Sequence, residues 1–202
     1  AAAGIRPTRD VDAIVDATSY AMYAALSARL RAIGLVEDTS DGAPTWRWRH
    51  GDATVDVVPT DRAVLGFSNT WYVAAVAAAQ RITIAGVQAR IVAPAYFLAT
   101  KLEAFRGRGH ADVVTSSDLE DIVMVVDGRP QLLAEIASAD PLVRQFIAEA
   151  IDELMGNRRF TDSLAGFLPP DRASQQRRPL LEKRLQAIAA LHRGSPPAHK
   201  AP

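Results

Sequence analysis

The apolar residues of this chain change period near residue 93, and that change constrains the fold more than any single motif. Before it, short runs alternate polar and apolar residues and are cut by turn residues, with one helical stretch among them. After it, apolar residues recur at helical spacing almost to the end. Such a pattern describes an α+β protein, a mixed sheet followed by a mostly helical part. The expected layout is an α/β core over 1–93, a helical part over 94–193, and a tail, 194–202, too rich in proline and polar residues to pack. With 202 residues, 49% of them apolar, the chain can bury one sizeable core, or one domain plus a small companion.

In Asp10-Val11-Asp12-Ala13-Ile14-Val15 acids alternate with apolar residues, which predicts a strand. Thr18 or Ser19 can cap a helix through 35, with Ala21, Met22, Ala25, Leu26, Leu30 and Ile33 at helical spacing and Gly34 near its end. Strands over 45–49 and 54–58 flank the turn residues His50-Gly51-Asp52-Ala53, and Pro59 stops the second. A short helix over 71–79 and a hairpin of 82–84 with 88–92 around Gly86 complete the first part. Pro94 suits the first turn of a helix over 96–105, and further helices are predicted over 118–126, 131–137, 142–154 and 180–191.

Charge balances, 23 Lys+Arg against 23 Asp+Glu, which excludes a uniformly basic nucleic-acid coat. The balance hides an asymmetry. Residues 171–202 carry Arg172, Arg177, Arg178, Lys183, Arg184, Arg193 and Lys200 against Asp171 and Glu182, a charge of +5 that leaves −5 for the rest. The run around Arg177-Arg178 and Lys183-Arg184 is either a solvated helix face or a contact for RNA phosphate. The absence of cysteine removes disulfides, thiolate metal sites and thiol nucleophiles, and fits a reducing compartment. No apolar run approaches the ~18–20 residues of a membrane span. The expectation is a cytoplasmic protein with no membrane partner. Because the chain opens on Ala1 inside an apolar segment, a preceding segment is also expected.

Asp10 and Asp12, two apart on a strand, point to one face. Asp56 stands between Val55 and Val57, where a carboxylate is costly to bury unless paired or bound to a cation. Three acids converging from two strands would suit Mg²⁺, which takes a few carboxylates and leaves positions for water and phosphate oxygens. The plain alternative pairs Asp10 and Asp12 with Arg6 and Arg9 and turns Asp56 to water. On the helix over 96–105, Lys101 is either a surface lysine paired with Glu103 or a point charge for triphosphate, with Arg106 or Arg108 adding a forked contact. Asp118 and Asp121 lie one helical turn apart, where acids also favour the helix dipole. Trp46 and Trp48 share a strand face and read as packing before a stacking platform. His50, His110, His192 and His199 have no metal-ligand spacing.

The residues Gly4-Ile5-Arg6-Pro7-Thr8-Arg9-Asp10-Val11-Asp12, Val55-Asp56-Val57-Val58-Pro59, Tyr96-Phe97-Leu98-Ala99-Thr100-Lys101-Leu102-Glu103-Ala104-Phe105 and Asp118-Leu119-Glu120-Asp121-Ile122 follow one another in an order that resembles the nucleotidyltransferase superfamily with the polymerase-β-like fold. Within it, the chain is similar to the group related to AbiEii-type toxins of bacterial toxin–antitoxin systems. The resemblance spans about residues 4–122. It implies that Asp10 and Asp12 are the metal-binding pair, Asp56 the third carboxylate, Lys101 the nucleotide-phosphate lysine and Asp118 the acid of a later helix that organises the active site. It implies Mg²⁺ as cofactor, an NTP as substrate, the 3′ end of tRNA as acceptor and a separate antitoxin as partner. The family's Gly-Gly or Gly-Ser turn would fall at or before Ala1, so the chain departs from the pattern there. A fold without that turn defines the rival expectation, a catalytically impaired scaffold that binds RNA or a protein.

Overall fold

The computed structural model describes residues 10–108 and 112–192. The expected disordered tail over 194–202, the turn before the first aspartate, Arg6, Arg9, His110, Arg193, His199 and Lys200 lie outside the described residues. The chain mixes helix and sheet and divides into two compact units, with the boundary between Arg90 and Ile91.

In the unit ending at Arg90, β1 (Asp10–Val15), β2 (Val36–Glu37), β3 (Arg47–His50) and β4 (Ala53–Pro59) form a sheet in the order β1-β4-β3-β2. β1 runs parallel to β4, while β3 is antiparallel to both of its neighbours. The β3–β4 turn is tighter than the four residues expected from sequence. Gly51-Asp52 alone closes it, with Gly51 supplying the positive φ of 57° that a two-residue hairpin demands at its first position. A helix, α1 (Tyr20–Ala32), follows β1; the Ser19 hydroxyl accepts a bond from the Met22 amide and so caps it. Tyr23, Leu26 and Leu30 of this helix pack with Trp48, Val55 and Val57 on one sheet face. Trp48 is 1% exposed and belongs to this core, as its packing reading expected. The Tyr23 hydroxyl donates to the Val57 carbonyl at 2.9 Å, tying the helix to the central strand.

Two short helices, α2 (Arg62–Leu65) and α3 (Tyr72–Ala77), follow, and then β5 (Gln80–Ile84) and β6 (Val87–Ile91) form a separate hairpin. Its turn takes positive φ at both Ala85 and Gly86. Neither β2 nor α2 was expected; two residues and four residues are too short to show a period.

The helical unit opens with α4 (Pro94–Gly107), whose first residue is the proline anticipated there, and α5 (Ser117–Gly128), capped by the Ser116 hydroxyl. Then come α6 (Leu132–Ala137), α7 (Pro141–Gly156), α8 (Arg158–Ser163), α9 (Arg172–Gln175) and α10 (Arg178–Ala189). The core is drawn from Leu98 and Leu102 of α4, Leu119 and Ile122 of α5, Ile147 and Ile151 of α7, and Leu181 and Leu185 of α10. α10 therefore completes the hydrophobic core of this unit. Although its segment carries the +5 charge, the helix is an integral wall. Among the described residues no helix is long and apolar enough to cross a membrane.

Candidate functional site

Strand register decides where the first candidate residues go. In the parallel β1–β4 ladder Asp12 stands opposite Asp56 and Asp10 opposite Thr54; in the β3–β4 hairpin Arg47 stands opposite Asp56 and Arg49 opposite Thr54. Because side chains alternate along a strand, all of these residues share one face, the one turned away from the Trp48 core. A row of three crosses the sheet, Asp12, Asp56, Arg47, with Asp10 two residues along. The three carboxylates singled out from sequence thus lie on one face of two adjacent strands.

The third member of the row was not anticipated. Arg47 donates from Nε to Oδ1 of Asp56 and from Nη2 to Oδ2, both at 2.8 Å, a fork-on-fork ion pair. The Asp56 side chain is only 18% exposed. Its hydrogen bonds, and then the nearby charges of Asp56, Asp10 and Asp38, hold the Arg47 guanidinium above its already high ordinary pKa, against a smaller opposing effect of desolvation. The signal was present in the sequence. The expected strands over 45–49 and 54–58 already pair position 47 with position 56, because a two-residue turn at 51–52 and a four-residue turn at 50–53 share one centre.

Asp10 and Asp12 are exposed and Asp56 is half-buried. Among the described residues no three carboxylate or imidazole side chains are grouped so as to hold a metal ion as they stand. The donors nevertheless fit Mg²⁺ in kind and in face: hard carboxylate oxygens, two of them opposite each other in register. Asp56 is engaged at both oxygens by the Arg47 guanidinium.

The helical unit holds the remaining candidates in a cluster of its own. Lys101 Nζ lies 2.7 Å from Asp121 Oδ2 and 3.8 Å from Asp118 Oδ1, and Arg108 Nη1 donates to Asp118 Oδ2 at 2.7 Å. The Asp118 side chain is 4% exposed, so two cations converge on a buried carboxylate. The helical-turn spacing of Asp118 and Asp121 places both beside Lys101, which also lies over the Phe97 ring. Arg106 is not part of this group. It bonds Glu153 of α7 at 2.6 Å and covers the Phe146 ring.

The basic C-terminal run meets a different use from either expectation. Arg177 makes three bonds of 2.9–3.1 Å to Asp127, whose side chain is 2% exposed at the end of α5. Arg184 donates to the Val126 and Asp127 carbonyls that α5 leaves unpaired. Arg178 pairs with Glu182 on the same helix. Arg177 and Arg184 are thus structural counter-ions and caps, not a solvated face. His50 and His192 lie against the Gly34 carbonyl and Asp152. Trp46 packs on Phe67 with ring centres 4.6 Å apart.

No protein-family model matches the chain, and neither does any curated protein or solved structure compared with it.

Proposed function

We propose that this chain is a metal-dependent, cytoplasmic nucleotidyltransferase that moves a nucleoside monophosphate from an NTP to an acceptor hydroxyl and releases pyrophosphate. The observation that carries the proposal is the register of β1 on β4, which sets Asp12 opposite Asp56 on one sheet face with Asp10 beside them. In this reading Asp10, Asp12 and Asp56 hold Mg²⁺. When bound, the ion lowers the pKa of the attacking hydroxyl and offsets charge on the departing pyrophosphate.

The chain's own residues account for the remaining chemistry. The acceptor oxygen bonds to the α-phosphorus as the bond from that phosphorus to the bridging oxygen breaks, and Asp56 takes the acceptor's proton. Lys101 is the cation offered to triphosphate, with Arg106 and Arg108 as further phosphate contacts and Asp118 as the anion that fixes Lys101 and Arg108 on their helices. The acceptor is the 3′ end of tRNA, the outcome is growth arrest, and a separate antitoxin restrains it. These last assignments rest on the family resemblance.

Labelled NTPs incubated with the full chain, Mg²⁺ and total tRNA test the reading. Label is expected in tRNA, and Asp10→Ala with Asp12→Ala is expected to abolish it. Absence of transfer, or undiminished transfer by the double variant, overturns it. The second reading, a non-catalytic scaffold that binds RNA or protein, is favoured by one observation: Asp56 and Lys101 are already engaged by Arg47 and by Asp118 and Asp121. tRNA binding without transfer is its signature.

A further inference from the structure

Resting on the nucleotidyltransferase reading, we infer that Arg47 is a built-in counter-ion of the metal site: it holds Asp56 while no divalent cation is present and must release it before the site can form. Like charges directly opposite each other destabilise a sheet, and β1 sets Asp12 opposite Asp56. The third member of the same row, Arg47, supplies the compensating positive charge from the other side of Asp56. Its fork takes both oxygens of the carboxylate at 2.8 Å, in a geometry that a lysine's single ammonium could not reproduce.

The guanidinium and a divalent cation therefore compete for one carboxylate. The pair is also free to open. Arg47 is 35% exposed, at an open sheet face rather than in a core, so exchange does not require unfolding. On opening, Arg47 remains on the face that carries Asp10 and Asp12, and Arg49 lies two residues further along the same strand. Arg47 is thus a positioning residue, acting on the cation through Asp56.

Mn²⁺ as the probe, titrated calorimetrically into the full chain, separates this inference from the reading beneath it. A charge-assisted fork of this kind, partly screened by solvent, predicts that Arg47→Gln binds Mn²⁺ about tenfold more tightly than the parent. Arg47→Lys should fall between them. In an Asp56→Asn background the Arg47→Gln change should leave the affinity unaltered. Equal Mn²⁺ affinity of parent and Arg47→Gln, with Asp12→Asn still weakening binding, overturns the inference and leaves the metal site standing. No Mn²⁺ binding by either overturns both. Should Arg47→Gln fail to fold by circular dichroism, the parent itself decides. The Arg47 Nε–H resonance is expected to move toward its solvent-exposed position as Mg²⁺ saturates, and a resonance that Mg²⁺ leaves in place refutes the release.

Discussion

Replacing Arg177 by methionine keeps most of the side chain's length and deletes its charge, leaving Asp127 buried without the guanidinium that makes three bonds to it. Breaking a buried pair from one side costs about 3–5 kcal/mol. Two local features set where in that range the value falls. Asp127 occupies the last turn of α5, where the helix dipole disfavours a negative charge, so Arg177 offsets the dipole as well as the burial. Arg184 remains close by on the Asp127 carbonyl and supplies some residual positive potential. The expected loss is therefore at the lower end, about 3 kcal/mol. With a denaturant slope of ~2 kcal/mol per molar, the urea midpoint read by far-ultraviolet circular dichroism falls by ~1.5 M. The double variant Arg177→Met with Asp127→Leu removes both charges and should recover to within about 1 kcal/mol of the parent, because a buried pair is worth little against apolar residues of similar size. A loss below about 1 kcal/mol for the single variant refutes the reasoning. So does a double variant whose loss equals the sum of the two single losses, since that would mean no coupling.

Tyr23→Phe removes the hydroxyl that donates to the Val57 carbonyl inside the smaller core and should cost about 1–2 kcal/mol in the same urea assay. Asp140→Ala deletes the carboxylate that accepts from the Leu142 amide at 2.8 Å and should lower stability by about 1 kcal/mol through loss of the α7 cap. Ile151→Ala, at a fully buried site, should cost about 2–5 kcal/mol, whereas Leu142→Ala, 71% exposed, should cost little. Glu135 is bonded at both oxygens by Arg129, which holds its carboxyl below the usual glutamate range. A depressed folded-state pKa stabilises the fold above the unfolded value and loses that contribution as pH falls through the folded one. Stability of Glu135→Gln relative to the parent should thus be lowest near neutrality and converge with it on acidification; a difference independent of pH rules this linkage out.

What could be read from the sequence was whatever local pattern governs. The Asp10–Val15 alternation, a cap at Thr18 or Ser19, which falls on Ser19, Pro94 at a first helical turn and the common face of Asp10 and Asp12 all depend on neighbours within four residues, and all stand in the structure. The register that sets Arg47 opposite Asp56 also follows from the expected hairpin, since turns over 51–52 and over 50–53 share one centre, but the pairing of the two side chains was not drawn from it. The Arg177–Asp127 pair spans fifty positions, and nothing in the sequence beside either residue announces the other. Lys101 reads from sequence as a partner for Glu103, its neighbour, yet Asp118 and Asp121, which pair with it, come from the next helix. Long-range ion pairs leave no periodic trace.

The parallel pairing of β1 with β4 also dictates an order of assembly. The β3–β4 hairpin closes through two residues and can form within microseconds, whereas β1 must find β4 across some forty intervening positions. Arg47 and Asp56 can meet as soon as the hairpin closes, so β1 delivers Asp12 to a carboxylate that is already neutralised. Without that order, each folding attempt would bring two bare anions together at its slowest step. Arg47 in this view lowers a kinetic barrier, and substitutions in β1 that weaken its pairing with β4 should slow folding more than they accelerate unfolding.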